Sequence, residues 1–222
     1  MAIPDALDSD ELHAIRQAVG ETGVAMLEQG LTKATGGNVS GRVGDDYVAV
    51  SPSGIPYEEI DPADVPVVDL DAELVDGELK PSAETPMHTA VYRKRDDVGG
   101  IIHTHSPYAS TFASLSEPIE ASHYLIAYAG DEVPVAPYET YGTEELGAVA
   151  AETLGDEYNA CLLENHGVLT VGETIEGAFE TALMVEYCAR IHFQARAIGE
   201  PTILPDEEVD RLVDRFDSYR TH

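Results

Sequence analysis

The sequence predicts a single α/β domain over residues 1–222, built on a central, mostly antiparallel β-sheet that helices cover on both faces. Short runs rich in β-branched residues are separated by glycine and acidic turns, which is typical of antiparallel strands. Longer segments carry apolar residues at helical spacing. The chain has no internal repeat, linker or low-complexity segment, so one domain accounts for its length.

The N-terminal half is predicted to begin with a helix and to continue into short paired strands. Apolar residues at helical spacing follow three residues that can each cap a helix, namely Asp8, Ser9 and Asp10. Runs of strand-forming residues then flank turns that contain glycine and aspartate, which predicts hairpins. The four strands are expected at residues 39–43, 47–50, 65–70 and 73–79.

The C-terminal half is predicted to alternate helices with buried strands. Helices are expected where apolar residues follow a helical period, at residues 84–95, 107–116, 144–154, 174–198 and 205–219. Strands are expected at four short apolar runs, at residues 99–104, 133–136, 160–163 and 168–171.

Acidic residues dominate the charge, since 42 Asp and Glu against 12 Lys and Arg give a formal net charge of -30. The acidic residues are scattered, and only three of the bases are lysines. Such a charge repels itself in dilute buffer, whereas molar salt shortens the Debye length to about 3 Å and screens it. We therefore predict adaptation to a salty cytoplasm, as in halophilic archaea. This surface disfavours nucleic acid and anionic membranes as partners.

The N-terminus has neither a basic region nor a long apolar run, and the chain contains no stretch of about 18 apolar residues. We therefore expect neither a signal peptide nor a membrane span, and we predict a cytoplasmic protein. Cys161 and Cys188 lie far apart in apolar surroundings, which indicates buried, reduced thiols.

Three histidines follow apolar, strand-like runs. His103 and His105 are separated by one residue, so a strand would present both on one side, and His166 ends a second run. Three neutral imidazoles with an open fourth position form the ligand set of a catalytic zinc site, and the carboxylate of Glu84 lies upstream. The pair spacing is common, so spacing alone leaves a metal site and ordinary histidines both open.

The other histidines have weaker signals. His13, His192 and His222 are interpreted as ordinary core or surface residues. His88 lies one helical turn past Glu84, so it is either a core residue or a partner of a metal ligand. His123 precedes a tyrosine and is a candidate pocket residue.

Glycine and hydroxyl clusters give a second signal. Residues 35–40, Thr-Gly-Gly-Asn-Val-Ser, can direct successive backbone N–H groups at an anion, and Ser53, Gly54 and Ser82 add further donors. Each cluster alone is also typical of an ordinary turn. Together they suit a mostly neutral pocket that holds a phosphorylated small molecule on an acidic protein.

The order of these motifs resembles the class II aldolase/adducin family over almost the whole chain. The motifs that carry the resemblance are residues 35–40, 51–57, 80–84, 103–105 and 165–167. Residues 123–127, 135–143 and 216–219 are similar to the fuculose-phosphate aldolase branch of that family.

The resemblance implies a metal centre with an acid/base. It assigns zinc to His103, His105 and His166, with Co²⁺ and Mn²⁺ left open because histidine serves several metals. Glu84 is then the fourth ligand at rest and the base when substrate displaces it.

The remaining roles also come from the resemblance. It implies six residues that hold the substrate phosphate, namely Thr35, Gly37, Asn38, Ser53, Gly54 and Ser82. Tyr124 would donate a proton in a neighbouring subunit's site, and Tyr219 would cover the site. The implied assembly is a homotetramer with active sites at subunit interfaces.

The activity implied is aldol cleavage of a ketose 1-phosphate, such as L-fuculose 1-phosphate, through a metal-stabilised enediolate. The products would be dihydroxyacetone phosphate and an aldehyde such as L-lactaldehyde. A Schiff base would instead need a buried lysine, and Lys33, Lys80 and Lys94 lie in polar contexts.

Three alternatives remain open at this stage. Ala83 stands where the family has a second serine, which removes one phosphate donor and is similar to the methylthioribulose-1-phosphate dehydratase branch. Losing a hydrogen bond to a charged group costs about 1.5–3 kcal/mol unless another donor replaces it. A pentulose-5-phosphate 4-epimerase would use the same site. An adducin-like interaction domain is disfavoured because all four candidate metal ligands are present.

Overall fold

The computed structural model describes residues 10–220, with side chains described for residues 10–216. Six helices are present in this part of the chain: α1 (Asp10–Glu28), α2 (Thr85–Lys94), α3 (Pro107–Leu115), α4 (Glu144–Leu154), α5 (Ile175–Ile198) and α6 (Asp206–Arg220). The strands are β1 (Asn38–Val43), β2 (Tyr47–Val50), β3 (Val67–Asp69), β4 (Leu74–Asp76), β5 (Gly100–Thr104), β6 (Val135–Ala136), β7 (Ala160–Leu163) and β8 (Gly167–Gly172).

The eight strands form one sheet in the order β4-β3-β2-β1-β5-β8-β7-β6. The neighbouring strands pair antiparallel except for β6 and β7, which are parallel. The central pair β1 and β5 places Asn38 opposite His103. The ends of β1, β5, β7 and β8 therefore bring the candidate site residues to one region of the sheet.

Helices cover both faces of the sheet, as the sequence predicted. On β5, Ile101 belongs to a core with α2 and α4, whereas the next residue, Ile102, packs into a core with α1 and α5. Strand side chains alternate between the faces, so one apolar strand supplies both cores. Cys161 and Cys188 are free and buried, which confirms the prediction of core thiols.

The predicted elements are present, with differences at the ends of the second pair of strands. β3 and β4 are three residues each, and their register shifts between Val67 and Val68. Three 3₁₀ helices in the described part of the chain were not predicted, at residues Tyr57–Glu59, Pro62–Asp64 and Tyr124–Tyr128. Such short turns carry too few residues for a periodic signal. Asp8 and Ser9 lie outside the described residues.

None of the helices in the described part of the chain is long and apolar enough to cross a membrane.

Candidate active site

Glu84, His103, His105 and His166 converge on one point. The candidate ligand atoms of these four residues all lie within 4.8 Å of one another. His103 Nε2 lies 3.0 Å from His105 Nε2 and 3.3 Å from Glu84 Oε2. His166 Nε2 lies 3.3 Å from Glu84 Oε1. The structure therefore brings together the four predicted metal ligands.

The histidines come from the end of β5 and from the turn between β7 and β8. His103 is inside β5, whereas His105 lies just past its last residue. Asn165, in the turn that leads to His166, has a φ of 54°, a left-handed conformation that asparagine tolerates well. A Cβ atom on Gly167 would stand 2.4 Å from the Thr104 carbonyl oxygen and 3.0 Å from the His105 ring. Only glycine at this position leaves room for the histidines.

The hydrogen bonding of His103 suits a metal ligand. Its Nδ1 donates to the Val168 carbonyl oxygen at 3.0 Å, so Nε2 keeps a lone pair directed into the cluster. Burial, with the nearby His166 and His105, lowers the pKa of His103 well below its usual value. Burial and His166 also lower the pKa of His105, against the opposing charge of Glu84. Both rings are therefore neutral near pH 7, the form that binds a metal ion.

Glu84 occupies the N-cap position of α2 but does not cap the helix with its side chain. Its Oε2 accepts a hydrogen bond from Asn38 Nδ2 at 2.8 Å. Its Oε1 is buried without a hydrogen-bond partner among the described residues. A buried, unpaired carboxylate oxygen beside three neutral imidazoles fits a metal site, because a cation would supply the missing interaction.

The second part of the site is formed by two turns that hydrogen-bond to each other. Ser53 N donates to the Lys80 carbonyl oxygen at 2.9 Å, and Ser82 N donates to the Ser51 carbonyl oxygen at 3.1 Å. Ser82 Oγ accepts from Glu84 N at 3.3 Å. These contacts hold the predicted phosphate residues of both turns directly beside Glu84.

A cleft of about 310 Å³ joins these turns to the histidines. All six residues expected to hold phosphate line it, together with Glu84, His105 and His166. Among the described residues, no lysine or arginine lines the cleft, so its lining is mostly neutral. The three lysines are all exposed, so none is a buried Schiff-base nucleophile.

Two of the predicted residues are placed differently from the rest. The Asn38 side chain is directed at Glu84 and His88, so its backbone remains as the part that could serve a phosphate. Tyr124 is 49% exposed and does not line the cleft of its own chain. The side chain of Tyr219 lies outside the described residues.

Tyr141 also lines the cleft and is 67% exposed, a position that was not predicted from the sequence. Gly142 follows it with a φ of 77°, and a Cβ atom there would stand 2.9 Å from the Ala83 carbonyl oxygen. The local sequence signal for this turn is the Tyr-Gly pair before the Thr143 cap of α4, within residues 135–143 that carry part of the resemblance. It places an aromatic side chain at the mouth of the cleft.

Comparison with known proteins agrees with this geometry. The model of the class II aldolase and adducin N-terminal domain matches residues 17–193. The chain belongs to the class II aldolase and adducin family.

Individual relatives cover nearly the whole chain. The chain is 46% identical to the 5-deoxy-D-ribulose 1-phosphate aldolase of Bacillus thuringiensis serovar kurstaki, over 92% of this chain and 96% of that protein. It is 34% identical to the L-fuculose phosphate aldolase of Escherichia coli, over 94% and 97%. A solved structure described as L-fuculose 1-phosphate aldolase matches with a TM-score of 0.89 and 43% identity, over 92% and 96%. The predictions of the family, the fold and a class II aldolase enzyme are confirmed.

Proposed function

We propose that this enzyme cleaves a ketose 1-phosphate to dihydroxyacetone phosphate and a short aldehyde, with one divalent metal ion in each subunit. The observation that carries the proposal is the position of the Glu84 and histidine cluster at one side of a neutral cleft. The turns at residues 35–38, 51–54 and 80–82, which supply hydroxyls and glycines, line the cleft beside the cluster. The cluster suits the oxygen atoms of a ketose, and the turns suit its phosphate.

The proposed substrate is 5-deoxy-D-ribulose 1-phosphate, with L-fuculose 1-phosphate as the comparison substrate. The sequence identities support this choice, since the chain is 46% identical to the 5-deoxy-D-ribulose 1-phosphate aldolase and 34% identical to the L-fuculose phosphate aldolase. The two substrates share carbons 1 to 3 and differ in the aldehyde, which is acetaldehyde in the first case and L-lactaldehyde in the second. A pocket separates such aldehydes by contacts worth about 1–3 kcal/mol.

His103, His105, His166 and Glu84 would hold the metal ion, which we propose is Zn²⁺. When bound, such an ion polarises a carbonyl oxygen as a Lewis acid. In cleavage the bond between carbons 3 and 4 breaks, the carbon 4 hydroxyl loses a proton, and carbon 3 gains one. We assign the proton transfer at carbon 3 to Glu84 and the proton at the aldehyde oxygen to Tyr124.

The backbone N–H groups of the turns around Gly37 and Gly54, with the hydroxyls of Thr35, Ser53 and Ser82, would bind the phosphate. Ala83 contributes no hydroxyl there. The N-terminus of α2 begins at Thr85, beside these turns, and its partial positive charge favours an anion.

We propose a homotetramer in which Tyr124 acts in a neighbouring subunit's cleft, with Tyr219 covering that cleft. The half-exposed position of Tyr124 outside its own cleft supports this arrangement. The inactive variants Glu84→Gln and Tyr124→Phe should regain activity after subunit exchange, because some mixed sites then contain both native residues. A confirmed mixed assembly that stays inactive would contradict the shared site.

The decisive experiment measures dihydroxyacetone phosphate release from both ketoses in molar KCl, with and without EDTA. We use molar KCl because the net charge of -30 supports adaptation to a salty cytoplasm. We expect release that EDTA abolishes, with a higher kcat/KM for 5-deoxy-D-ribulose 1-phosphate. Metal-loaded protein that releases no triose phosphate from either substrate would overturn the proposal.

A further inference from the structure

Five polar side chains from β1 and α2 interleave behind the metal cluster. Asn38 and Ser40 are two residues apart on β1, so they lie on the same face of the sheet. Glu84, His88 and Tyr92 follow at intervals of four residues along α2 and its N-cap, so they lie along one stripe. The two sets alternate in space, which gives an unbroken row of hydrogen bonds.

The row starts at Glu84, where Asn38 Nδ2 lies 2.8 Å from Oε2. Asn38 Oδ1 lies 2.5 Å from His88 Nε2, and His88 Nδ1 lies 2.6 Å from Ser40 Oγ. Ser40 Oγ then lies 3.0 Å from the Tyr92 hydroxyl. Asn38, Ser40, His88 and Tyr92 are all buried, so water does not compete for these contacts.

The chemistry of the groups gives each bond its direction. The carboxylate oxygen of Glu84 accepts a hydrogen bond, so the Asn38 amide nitrogen faces it and the amide oxygen faces His88. His88 Nε2 therefore donates to Asn38, and Nδ1 accepts from the Ser40 hydroxyl. The Ser40 oxygen in turn accepts from Tyr92. Every donor in the row has one acceptor, and His88 is neutral.

His88 is therefore the residue that distinguishes the two orientations of the Asn38 amide. With a donor at position 88, the amide nitrogen faces Glu84. Without a donor at position 88, the Asn38 amide is free to rotate. Rotation would place its oxygen against the Glu84 carboxylate, and two oxygens that only accept hydrogen bonds would then face each other. Asn38 is the one side chain among the described residues that hydrogen-bonds the carboxylate of Glu84.

We propose that His88 is a positioning residue: it fixes the Asn38 amide and thereby holds the Glu84 carboxylate with Oε1 directed at the histidine cluster. His88 touches neither the proposed metal ion nor the substrate. Its effect reaches the site only through Asn38. The kinetic part of this inference rests on the proposed function, whereas the metal-binding part does not.

The test compares His88→Leu, which removes both nitrogens, with His88→Gln, whose side-chain amide can still donate to Asn38. Val91→Ala is the structural control, because Val91 is fully buried on the same helix but lies in the apolar core away from the row. Zinc affinity is measured on the metal-free proteins by competition with a chelator. Values of kcat, KM and the melting temperature are measured on the zinc-loaded proteins.

We expect His88→Leu to lose about 10–100-fold in zinc affinity and in kcat, the range found for residues that orient metal ligands, with little change in KM. His88→Gln should restore most of both losses. Val91→Ala should lower the melting temperature and leave zinc affinity and kcat unchanged. Unchanged zinc affinity in folded His88→Leu, or losses that His88→Gln does not restore, would overturn the proposal.

Milder variants keep the test decisive if His88→Leu does not fold. Ser40→Ala removes the donor to His88 Nδ1, and Tyr92→Phe removes only the last hydroxyl of the row. Zinc affinity should fall more in Ser40→Ala than in Tyr92→Phe, and the reverse order would contradict the proposal. If the wild-type protein cleaves neither ketose, the proposed function fails, while the order of zinc affinities still decides the role of His88.

Discussion

Asn38 and Glu84 are 46 residues apart in sequence and share a buried hydrogen bond of 2.8 Å between Nδ2 and Oε2. The same asparagine lies opposite His103 in the pairing of β1 with β5. One side chain therefore connects the sheet that carries a candidate metal ligand with the helix cap that carries the proposed acid/base. This connection leaves Glu84 Oε1 as the oxygen that faces His166.

Glu84→Gln should nearly abolish turnover while the metal ion stays bound. The amide keeps the size of the side chain but cannot accept a proton, and loss of a general acid/base costs about 10²–10⁴-fold in rate. The measurement is kcat with metal content determined on the same sample. Glu58→Gln, at an exposed carboxylate, is the charge-matched control. Normal turnover in metal-loaded Glu84→Gln would remove Glu84 from the proposed mechanism.

Gly37→Ala should destabilise the protein more than Gly54→Ala, although both glycines have nearly the same φ, 70° and 73°. A left-handed alanine costs about 1–2 kcal/mol at either position. At position 37 its Cβ would also stand 2.6 Å from the His103 carbonyl oxygen, whereas at position 54 nothing lies within 4 Å. Denaturant unfolding measures the free energy of unfolding of the two variants. Equal losses in this free energy would contradict the prediction, because they would show that the structure around position 37 accommodates the added Cβ at no cost.

The helices could be predicted closely because local signals mark their ends. α4 has the predicted bounds, since Thr143 caps its start and Gly155 follows its end. α5 begins one residue after the start predicted for it, because Thr174 caps the helix, and it ends at the predicted residue before Gly199. The strands β3 and β4 were predicted too long, because their ends depend on pairing with each other and on the register shift at Val67.

The three candidate histidines could be singled out because strand ends and their histidines are local patterns, whereas their assignment to a metal site with Glu84 came from the family resemblance. The row from Glu84 to Tyr92 could not be predicted, although its spacings of two and four residues are visible in the sequence. Those spacings indicate a shared row of hydrogen bonds only when β1 and α2 are known to face each other. The resemblance implied Asn38 as a phosphate residue; in the structure its side chain contacts Glu84 and His88, which leaves its backbone for that role.

Removal of the metal ion should abolish activity and lower the melting temperature, because an ion that binds only the folded chain stabilises it by mass action. Adding back Zn²⁺, Co²⁺ or Mn²⁺ separately identifies the ion that restores activity best. His105→Asn should lose the metal-dependent shift of the melting temperature, since His105 is an exposed member of the cluster. His13→Gln, at an exposed histidine on α1, should keep it. A shift that survives in His105→Asn would exclude His105 as a ligand.

His88 should make the free energy of unfolding depend on pH. Burial, with the nearby His103, lowers the pKa of His88 from 6.5 to about 3. Between these values the unfolded chain binds a proton that the folded chain does not, so stability rises with pH in this range. His88 should therefore cost no stability above pH 6.5, and stability should fall by about 1.4 kcal/mol per pH unit as the pH drops toward 3.

This dependence is measured by denaturant unfolding of metal-free protein in molar KCl between pH 5 and pH 8. Below pH 6, the plot of the free energy of unfolding against pH should be less steep for His88→Gln than for wild type, by the amount that one proton contributes. Glutamine does not titrate, and the other groups contribute equally to both proteins. His13→Gln, at an exposed position, should keep the wild-type slope. Equal slopes for wild type and His88→Gln would mean that His88 gains its proton in the folded protein, and the bond directions from Ser40 to Asn38 would then be wrong.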